Sequence, residues 1–170
     1  DYIDDFIKKE NGGSQMADAL RYYLTLIAPE TKDSEFTWQG FQDANNSELV
    51  SIFGNFVNRS LVLMHKLCNG KVPPLHLNTL TDLDKSTIDE IRIAKEKVAS
   101  LLEQYKFRDA MFEVMNLART GNQCLQKKER WIVVKQAGDN GRPTVEAQQS
   151  IDITLHICLQ LCANLAILIN

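Results

Sequence analysis

Apolar residues along this chain recur mainly every three or four positions, which is the spacing of one face of an α-helix. Between Leu49 and Leu67 they form a broad stripe, and "MADALRYYLTLIA" and "STIDEIRIAKEKVASLLEQY" show the same period. A further stripe begins at Phe107, and another runs from Pro143 to about Leu168. The pattern predicts an all-α fold, a bundle of four main helices plus an N-terminal helix.

Local signals predict where two of these helices begin and end. Asn46 or Ser47 can cap the first of the four main helices, and Gly70 lies where a C-terminal cap is expected. Ser86 and Asp89 have the spacing of a capping box. We therefore expect helices that begin at about residues 46 and 86.

The last third of the chain allows two interpretations of local structure. The alternation in "IDITLHI" could indicate a strand, but its apolar density continues far beyond the usual strand length of about 3–10 residues. We therefore expect a helix there, with Pro143 in its first turn. The preceding residues 126–142 are predicted to form a polar loop that contains one short apolar stretch.

Composition narrows the class of protein without indicating a function. The chain has 170 residues, 44% hydrophobic and 24% charged, with a formal net charge of −3. These values are typical of one soluble domain with a sizeable core. A site for RNA or DNA must therefore be a local basic patch. The most apolar run, residues 157–169, falls short of the ~20 residues that span a bilayer, so we expect no membrane partner.

The cysteines indicate a cytoplasmic protein without a metal site. They show no C-x-x-C spacing, and no histidine or second thiol pair completes a zinc site. We expect them to be buried reduced thiols. The four are Cys68, Cys124, Cys158 and Cys162.

The sequence also lacks the common motifs of enzyme chemistry, including glycine-rich phosphate loops and the zinc protease motif. Two acidic pairs, Asp4 with Asp5 and Asp82 with Asp84, are predicted to lie in solvated loops. Nothing near them indicates a raised pKa, as a general acid requires. We therefore assign no catalytic residue to this chain.

Asn55 and Arg59 form a polar pair one turn apart beside the apolar stripe. On a helical wheel they share a flank with Glu48, Val62 and Lys66. The pair could be part of an ordinary solvated face. Alternatively, the amide and the guanidinium could bind a base edge and a phosphate. The neighbouring glycine, residue 54, could permit close packing of another helix.

Trp131 lies among cations in "QKKERWIVVKQ". Such an arrangement can bind unpaired bases, since the ring stacks and the cations contact phosphates. Alternatively, Trp131 could close one end of the bundle with its apolar neighbours. The cations of the segment are Lys127, Lys128, Arg130, Lys135 and Arg142, of which Lys127, Arg130 and Lys135 are candidate phosphate contacts.

Four stretches resemble one family over nearly the whole chain: "DALRYYL", "APETKDSEFTW", "FGNFVNR" and "LARTGNQCLQKKERW". They are similar to the segment that follows the catalytic domain in methionyl-tRNA synthetases, which are class I aminoacyl-tRNA synthetases. The resemblance implies that residues 1–41 are the tail of the stem-contact or connector region. Residues 42–170 would be the α-helical anticodon-binding domain. Asn55, Arg59 and Trp131 would then recognise the CAU anticodon of methionine tRNA.

The resemblance also implies what this chain does not contain. The parent would be an ATP-dependent methionine–tRNA ligase of the cytoplasm that binds ATP and magnesium, with zinc as a further candidate. These sites would lie in a catalytic domain of the same polypeptide, and we expect no cofactor or metal in the present residues. Two further functions remain open: a domain of another class I synthetase, or a helical module that binds a partner protein.

Two residues depart from the pattern of the family. Arg130 stands where a proline often precedes the tryptophan, which removes a backbone constraint and adds a cation. Cys124 replaces an aromatic residue that is common shortly after Asn122, which the pattern places at a helix end. We therefore expect local packing near these residues to differ from that of the family.

Overall fold

The computed structural model describes residues 13–30, 33–135 and 144–169, with side chains for these residues apart from 13–15 and 129–135. All regular structure in these ranges is helical, which confirms the predicted all-α bundle. The elements are α1 (Gly13–Leu26), α2 (Trp38–Ala44), a π-helical segment (Asn45–Gly54), α3 (Asn55–Cys68), a 3₁₀ turn (Leu77–Thr79), α4 (Asp82–Glu103), α5 (Phe107–Lys135) and α6 (Val145–Leu168).

The main core lies where α3, α4, α5 and α6 pack together. Phe56 from α3 and Leu161 from α6 are fully buried there. The predicted apolar stripes supply this core because each helix turns its stripe inward. Its buried members are Phe56, Ala94, Val98, Ala110, Val114, Leu117, Ala118, Leu125, Ile153, Ile157, Cys158, Leu161 and Leu165.

The last helix, α6, confirms the helical interpretation of "IDITLHI". It begins after Thr144, whose side chain accepts a hydrogen bond from the backbone nitrogen of Ala147. Pro143, which was predicted to occupy the first turn, lies outside the described residues. By length and composition α6 could cross a membrane, but half of its most apolar window is buried inside the bundle. It is the central helix of the core.

The first main helix begins earlier than predicted. Neither Asn46 nor Ser47 is a cap, because the chain is helical without a break from Trp38 through Cys68. Thr37 caps this unit by accepting a hydrogen bond from the Gly40 nitrogen. The predicted cap at residues 46 and 47 is therefore wrong. Asparagine and serine also occur on the polar face inside a long helix, where the sequence alone does not distinguish them from a cap.

The C-terminal end of that unit agrees with the prediction. The backbone turns left-handed at Asn69, with φ of 51°, and again at Gly70, with φ of 72°. The nitrogen of Gly70 donates to the carbonyl of Met64 at 3.4 Å. A glycine is suited to this position because it adopts positive φ without strain.

The next helix, α4, also begins earlier than predicted. Thr81 and Asp84 form its capping box, not Ser86 and Asp89. The Asp84 carboxylate accepts hydrogen bonds from the nitrogen and the hydroxyl of Thr81 at 2.9 and 2.6 Å. Two overlapping capping sequences are present, and the upstream one adds a full turn to the helix.

The π-helical segment explains the glycine at position 54. A Cβ atom added there would lie 3.0 Å from the carbonyl oxygen of Leu49, which is closer than side-chain carbons normally approach. The close neighbour is thus the backbone of the same helix, not the second helix that the sequence suggested. Glycine permits the wider i→i+5 turn to close at this point.

The fifth helix, α5, is longer than the sequence indicated. It runs through Lys135, so residues 126–135 are helical and the predicted polar loop is wrong over that range. Residues 136–142 of the predicted loop lie outside the described residues. Asn122 is consequently an interior residue of α5 and not a helix end.

The N-terminal helix α1 is held against the bundle by a second, smaller cluster. Tyr23 and Phe41 are buried there together with Leu20. Aromatic rings meet edge to face, with the Tyr23 and Phe41 centroids 5.8 Å apart. Phe36 and Trp38 pack on each other beside this cluster and remain exposed. The predicted boundary between residues 41 and 42 falls inside α2.

Candidate nucleic-acid interface

Asn55 and Arg59 lie on the first turns of α3, directly after the π-helical segment. Asn55 is exposed and Arg59 is half-buried. A surface groove of about 640 Å³ runs beside them. Its lining residues are Leu49, Val50, Ser51, Gly54, Asn55 and Asn58. The structure thus places an amide at an open groove, with a guanidinium one turn away on the same helix.

Asn122 of α5 contacts Asn55 across the helix interface. Asn55 Nδ2 donates to Asn122 Oδ1 at 3.3 Å. The Nδ2 of Asn122 donates to the carbonyl of Ile52 at 2.9 Å and to that of Ala118 at 3.3 Å. Asn122 therefore joins the polar pair to the π-helical segment, although the sequence assigned it no such role. The contact spans 67 positions, so local spacing contained no signal for it.

Glu48, which the helical wheel puts on the flank of Asn55 and Arg59, is engaged with other protein side chains. It accepts a hydrogen bond from the Tyr22 hydroxyl and lies 3.5 Å from Nη2 of Arg119. Arg119 lies one turn before Asn122 on α5, so Glu48 and Asn55 both contact that helix.

Burial and this hydrogen bond act in the same direction on Tyr22. Burial of the ring raises the pKa of the Tyr22 hydroxyl, and the hydrogen bond to the Glu48 carboxylate raises it further. The hydroxyl therefore remains a donor, and Glu48 links α1 to α5 rather than facing a ligand.

The basic segment is divided between the surface and the core. Lys127 is exposed, in agreement with a candidate phosphate contact. Lys128 instead forms a buried ion pair with Asp84, with side chains 12% and 1% exposed. The backbones of Arg130, Trp131 and Lys135 belong to α5, whereas their side chains lie outside the described residues. Convergence of the indole with Arg59 therefore stays a prediction.

Asp84 is accordingly not a solvated acid, as the sequence suggested. Burial alone raises the pKa of its carboxyl, but hydrogen bonds from Lys128 and Thr81 outweigh this effect and leave the pKa lowered. Asp82 is exposed, as predicted, and lies 3.8 Å from Lys85, but it belongs to the first turn of α4 and not to a loop. The other predicted acidic pair, residues 4 and 5, lies outside the described residues.

The thiols belong to the core rather than to the interface. Cys124 and Cys158 are buried, as predicted, while Cys68 and Cys162 are partly buried. A hydrogen bond between the two buried thiols lowers the pKa of Cys124 and raises that of Cys158. Cys124 thus fills its position by packing against α6.

Comparison with known proteins identifies the class of this fold. A family model described as class I tRNA synthetases (M) matches residues 6–61, a range that includes Asn55 and Arg59. The free-state methionyl-tRNA synthetase of Mycobacterium tuberculosis has a similar fold, with a TM-score of 0.78 at 20% identity. That similarity covers 89% of this chain and 29% of the other. The fold and the match define a helical segment of a class I tRNA synthetase.

The particular family follows from closer relatives. The methionine–tRNA ligase of Phocaeicola vulgatus is 48% identical over 167 residues, which are 98% of this chain and 22% of that protein. The methionine–tRNA ligase of Flavobacterium johnsoniae is 40% identical over 168 residues, 99% of this chain and 21% of that protein. The chain belongs to the methionyl-tRNA synthetase family. It spans about a fifth of the length of the curated relatives it matches.

Proposed function

We propose that this segment recognises the CAU anticodon of methionine tRNA within an ATP-dependent methionine–tRNA ligase of the cytoplasm. The supporting observation is that Asn55 lines an open groove, with its amide held by Asn122 and with Arg59 one turn away on the same helix. ATP, magnesium and any zinc would bind in the catalytic domain. This segment would select the tRNA and position it.

The chemistry of the pair fits a base edge and its phosphate. An asparagine amide offers two donors and an acceptor, and a guanidinium offers a planar fork of donors. In the related case of DNA, each good bidentate contact gives about 1–3 kcal/mol of discrimination. Stacking of a base on the Trp131 indole would add about 1–3 kcal/mol. The bidentate contact alone gives about fivefold to a hundredfold selectivity, whereas stacking adds affinity for any base.

The cations near the end of α5 would favour an anionic ligand. Lys127 is an exposed cation, and Arg130 and Lys135 follow on the same helix. Phosphate contacts supply affinity without base selectivity, and they weaken as salt rises. We therefore assign these three residues to backbone binding, and Asn55, Arg59 and Trp131 to base recognition.

The test of this function is the substitution Arg59→Ala in the full-length protein. We expect kcat/KM for methionine–tRNA formation to fall about tenfold to a hundredfold, the equivalent of a lost base contact. The rate of methionine activation by ATP, measured as pyrophosphate exchange without tRNA, should be unchanged. The reason is that this segment contacts the tRNA and not the amino acid.

The matched control is Arg92→Ala on α4. This arginine is exposed and pairs with Glu96 of the same helix at 3.2 Å, so both reactions should keep their native rates. Equal losses of charging and activation in Arg59→Ala would rule out an anticodon role for this residue. Binding that is insensitive to salt and to competing RNA would favour a helical protein-interaction module instead.

A further inference from the structure

The amide of Asn122 has only one orientation that its surroundings permit. Its Nδ2 lies 2.9 Å from the carbonyl oxygen of Ile52 and 3.3 Å from that of Ala118. Both neighbours are acceptors, so the amide nitrogen must face them and Oδ1 must face the other way. Asn122 therefore presents a fixed acceptor toward α3.

This acceptor fixes the amide of Asn55 in turn. Asn55 Nδ2 lies 3.3 Å from Asn122 Oδ1, and a reversed Asn55 amide would place two oxygen atoms against each other. The Oδ1 of Asn55 consequently lies on the edge of the amide that faces away from Asn122. Since Asn55 is exposed and lines the groove, Oδ1 is the acceptor that it offers to a ligand.

An acceptor at this place distinguishes the two pyrimidine bases. Cytosine carries an exocyclic amine, which is a donor, where uracil carries a carbonyl, which is an acceptor. The Oδ1 of Asn55 can accept from the amine, and it opposes the carbonyl. A freely rotating amide could satisfy either base by exchanging its nitrogen and oxygen, and would not discriminate between them.

We propose that Asn122 is a positioning residue that holds the Asn55 oxygen toward the anticodon and so makes the site prefer cytosine to uracil at the first anticodon base. This inference rests on the proposed function, because it requires an anticodon base beside Asn55. Asn122 itself acts through Asn55 and through the π-helical backbone at Ile52.

The test compares two RNA stem-loops that differ only in the anticodon, CAU or UAU, for binding to the full-length protein. The native protein should bind the CAU loop more tightly. Asn122→Ala releases the Asn55 amide, so the ratio of the two affinities should fall about fivefold to tenfold, the equivalent of one hydrogen bond. Most of the change should be weaker binding of the CAU loop. Circular dichroism and denaturant unfolding report whether each variant is folded.

Asn122→Asp separates positioning from mere structural support. Aspartate retains an acceptor for Asn55 Nδ2, but it places a carboxylate oxygen near the carbonyls of Ile52 and Ala118. We expect this variant to unfold at lower denaturant concentration than Asn122→Ala and yet to retain more of the preference for CAU. A purely structural role would rank the two variants in the same order in both measurements.

The control is Asn116→Ala, which removes another asparagine amide from α5. The Oδ1 of Asn116 accepts from Arg119 at 3.0 Å and does not bond Asn55, so the native ratio should persist. If Asn122→Ala keeps the native ratio while Asn55→Ala loses it, this inference is wrong and the proposed function stands. If the native protein binds both loops equally, the proposed function itself fails.

Discussion

Gly121 lies on α5 directly against the ring of Phe56. A Cβ atom at Gly121 would lie 2.5 Å from the Cε2 and Cζ atoms of that ring, which is itself fully buried. Two effects of Gly121→Ala oppose each other. Alanine in a helix interior is favoured by about 0.5–1 kcal/mol over glycine, whereas overpacking of a core costs about 1–3 kcal/mol. The clash is the larger effect, because a ring in the core cannot move aside easily.

We therefore expect Gly121→Ala to lower the free energy of unfolding, by about 1–2 kcal/mol. Denaturant unfolding followed by circular dichroism measures this value. Gln123→Ala, at an exposed position of α5, should change stability by less than about 0.5 kcal/mol. A stabilised Gly121→Ala variant would show that helix propensity dominates and that the ring of Phe56 moves freely.

Lys128 and Asp84 form the most buried of the described ion pairs. Removal of one partner leaves the other charge buried without compensation, which costs about 3–5 kcal/mol. We expect Lys128→Met to destabilise the protein by about this amount at pH 7, measured by denaturant unfolding. Lys85→Met is the matched control, since its pair with Asp82 is exposed and such pairs contribute about 0–1 kcal/mol.

The same ion pair makes a prediction about pH. The pKa of Asp84 is lower in the folded protein than in the unfolded chain, so its contribution is complete above the unfolded value of about 3.9. The contribution is lost as the pH falls through the folded pKa. The difference in stability between the native protein and Lys128→Met should therefore narrow below about pH 4. A difference that stays constant in acid would show that Asp84 is not the group responsible.

At the scale of the helices, the sequence predicted which helices exist better than it predicted where each helix begins and ends. The three-to-four-residue period of buried side chains determines that α4 exists, because Ala94 and Val98 must face the core. The first residue of α4 depends on which of two capping sequences caps the helix. The two alternatives differ by only about one helical turn. The end of α5 was missed for a related reason, since "QKKERW" is polar enough to resemble a loop.

The π-helical segment was the main feature that the sequence did not reveal. A period of 3.6 residues assigned Phe56, Ser60 and Met64 correctly to the buried face of α3. The segment also sets the face on which Asn55 emerges beside the groove. π-helical insertions often accompany functional sites, which agrees with this location.

For the candidate site, sequence reasoning identified individual residues but not the contacts that hold them. Asn55 and Arg59 could be placed on one flank because both follow the π-helical segment. Asn122 could not be assigned a role, because its bonds to Asn55 and to the Ile52 carbonyl depend on how α5 packs against α3 and the π-helical segment. Long-range contacts of this kind are properties of the packed molecule.

At the scale of the whole molecule, α1 is attached to the bundle through polar contacts as well as the small aromatic cluster. The guanidinium of Arg108, at the start of α5, donates to the carbonyls of Leu26 and Ala28 at 2.8 and 3.1 Å. Glu30 accepts a hydrogen bond from the Arg108 backbone nitrogen at 2.8 Å. These bonds satisfy carbonyls at the end of α1 that no helical turn can satisfy, and they set the position of α1 relative to α5.

Arg108→Ala should therefore loosen α1 without disturbing the main core. The substitution removes the two guanidinium bonds and keeps the backbone bond to Glu30. We expect a loss of roughly 1 kcal/mol, so amide hydrogen exchange in residues 20–28 should become about fivefold faster. Exchange in α6 should keep its native rate, because Leu161 and Leu165 belong to the main core, whose buried residues include none from α1. Mass spectrometry of exchanged peptides measures both segments in one sample.

Arg92→Ala, whose ion pair lies within α4, should leave exchange in α1 unchanged. Uniformly faster exchange in α1 and α6 would mean that Arg108 supports the whole bundle, and unchanged exchange in both would mean that the aromatic cluster alone holds α1.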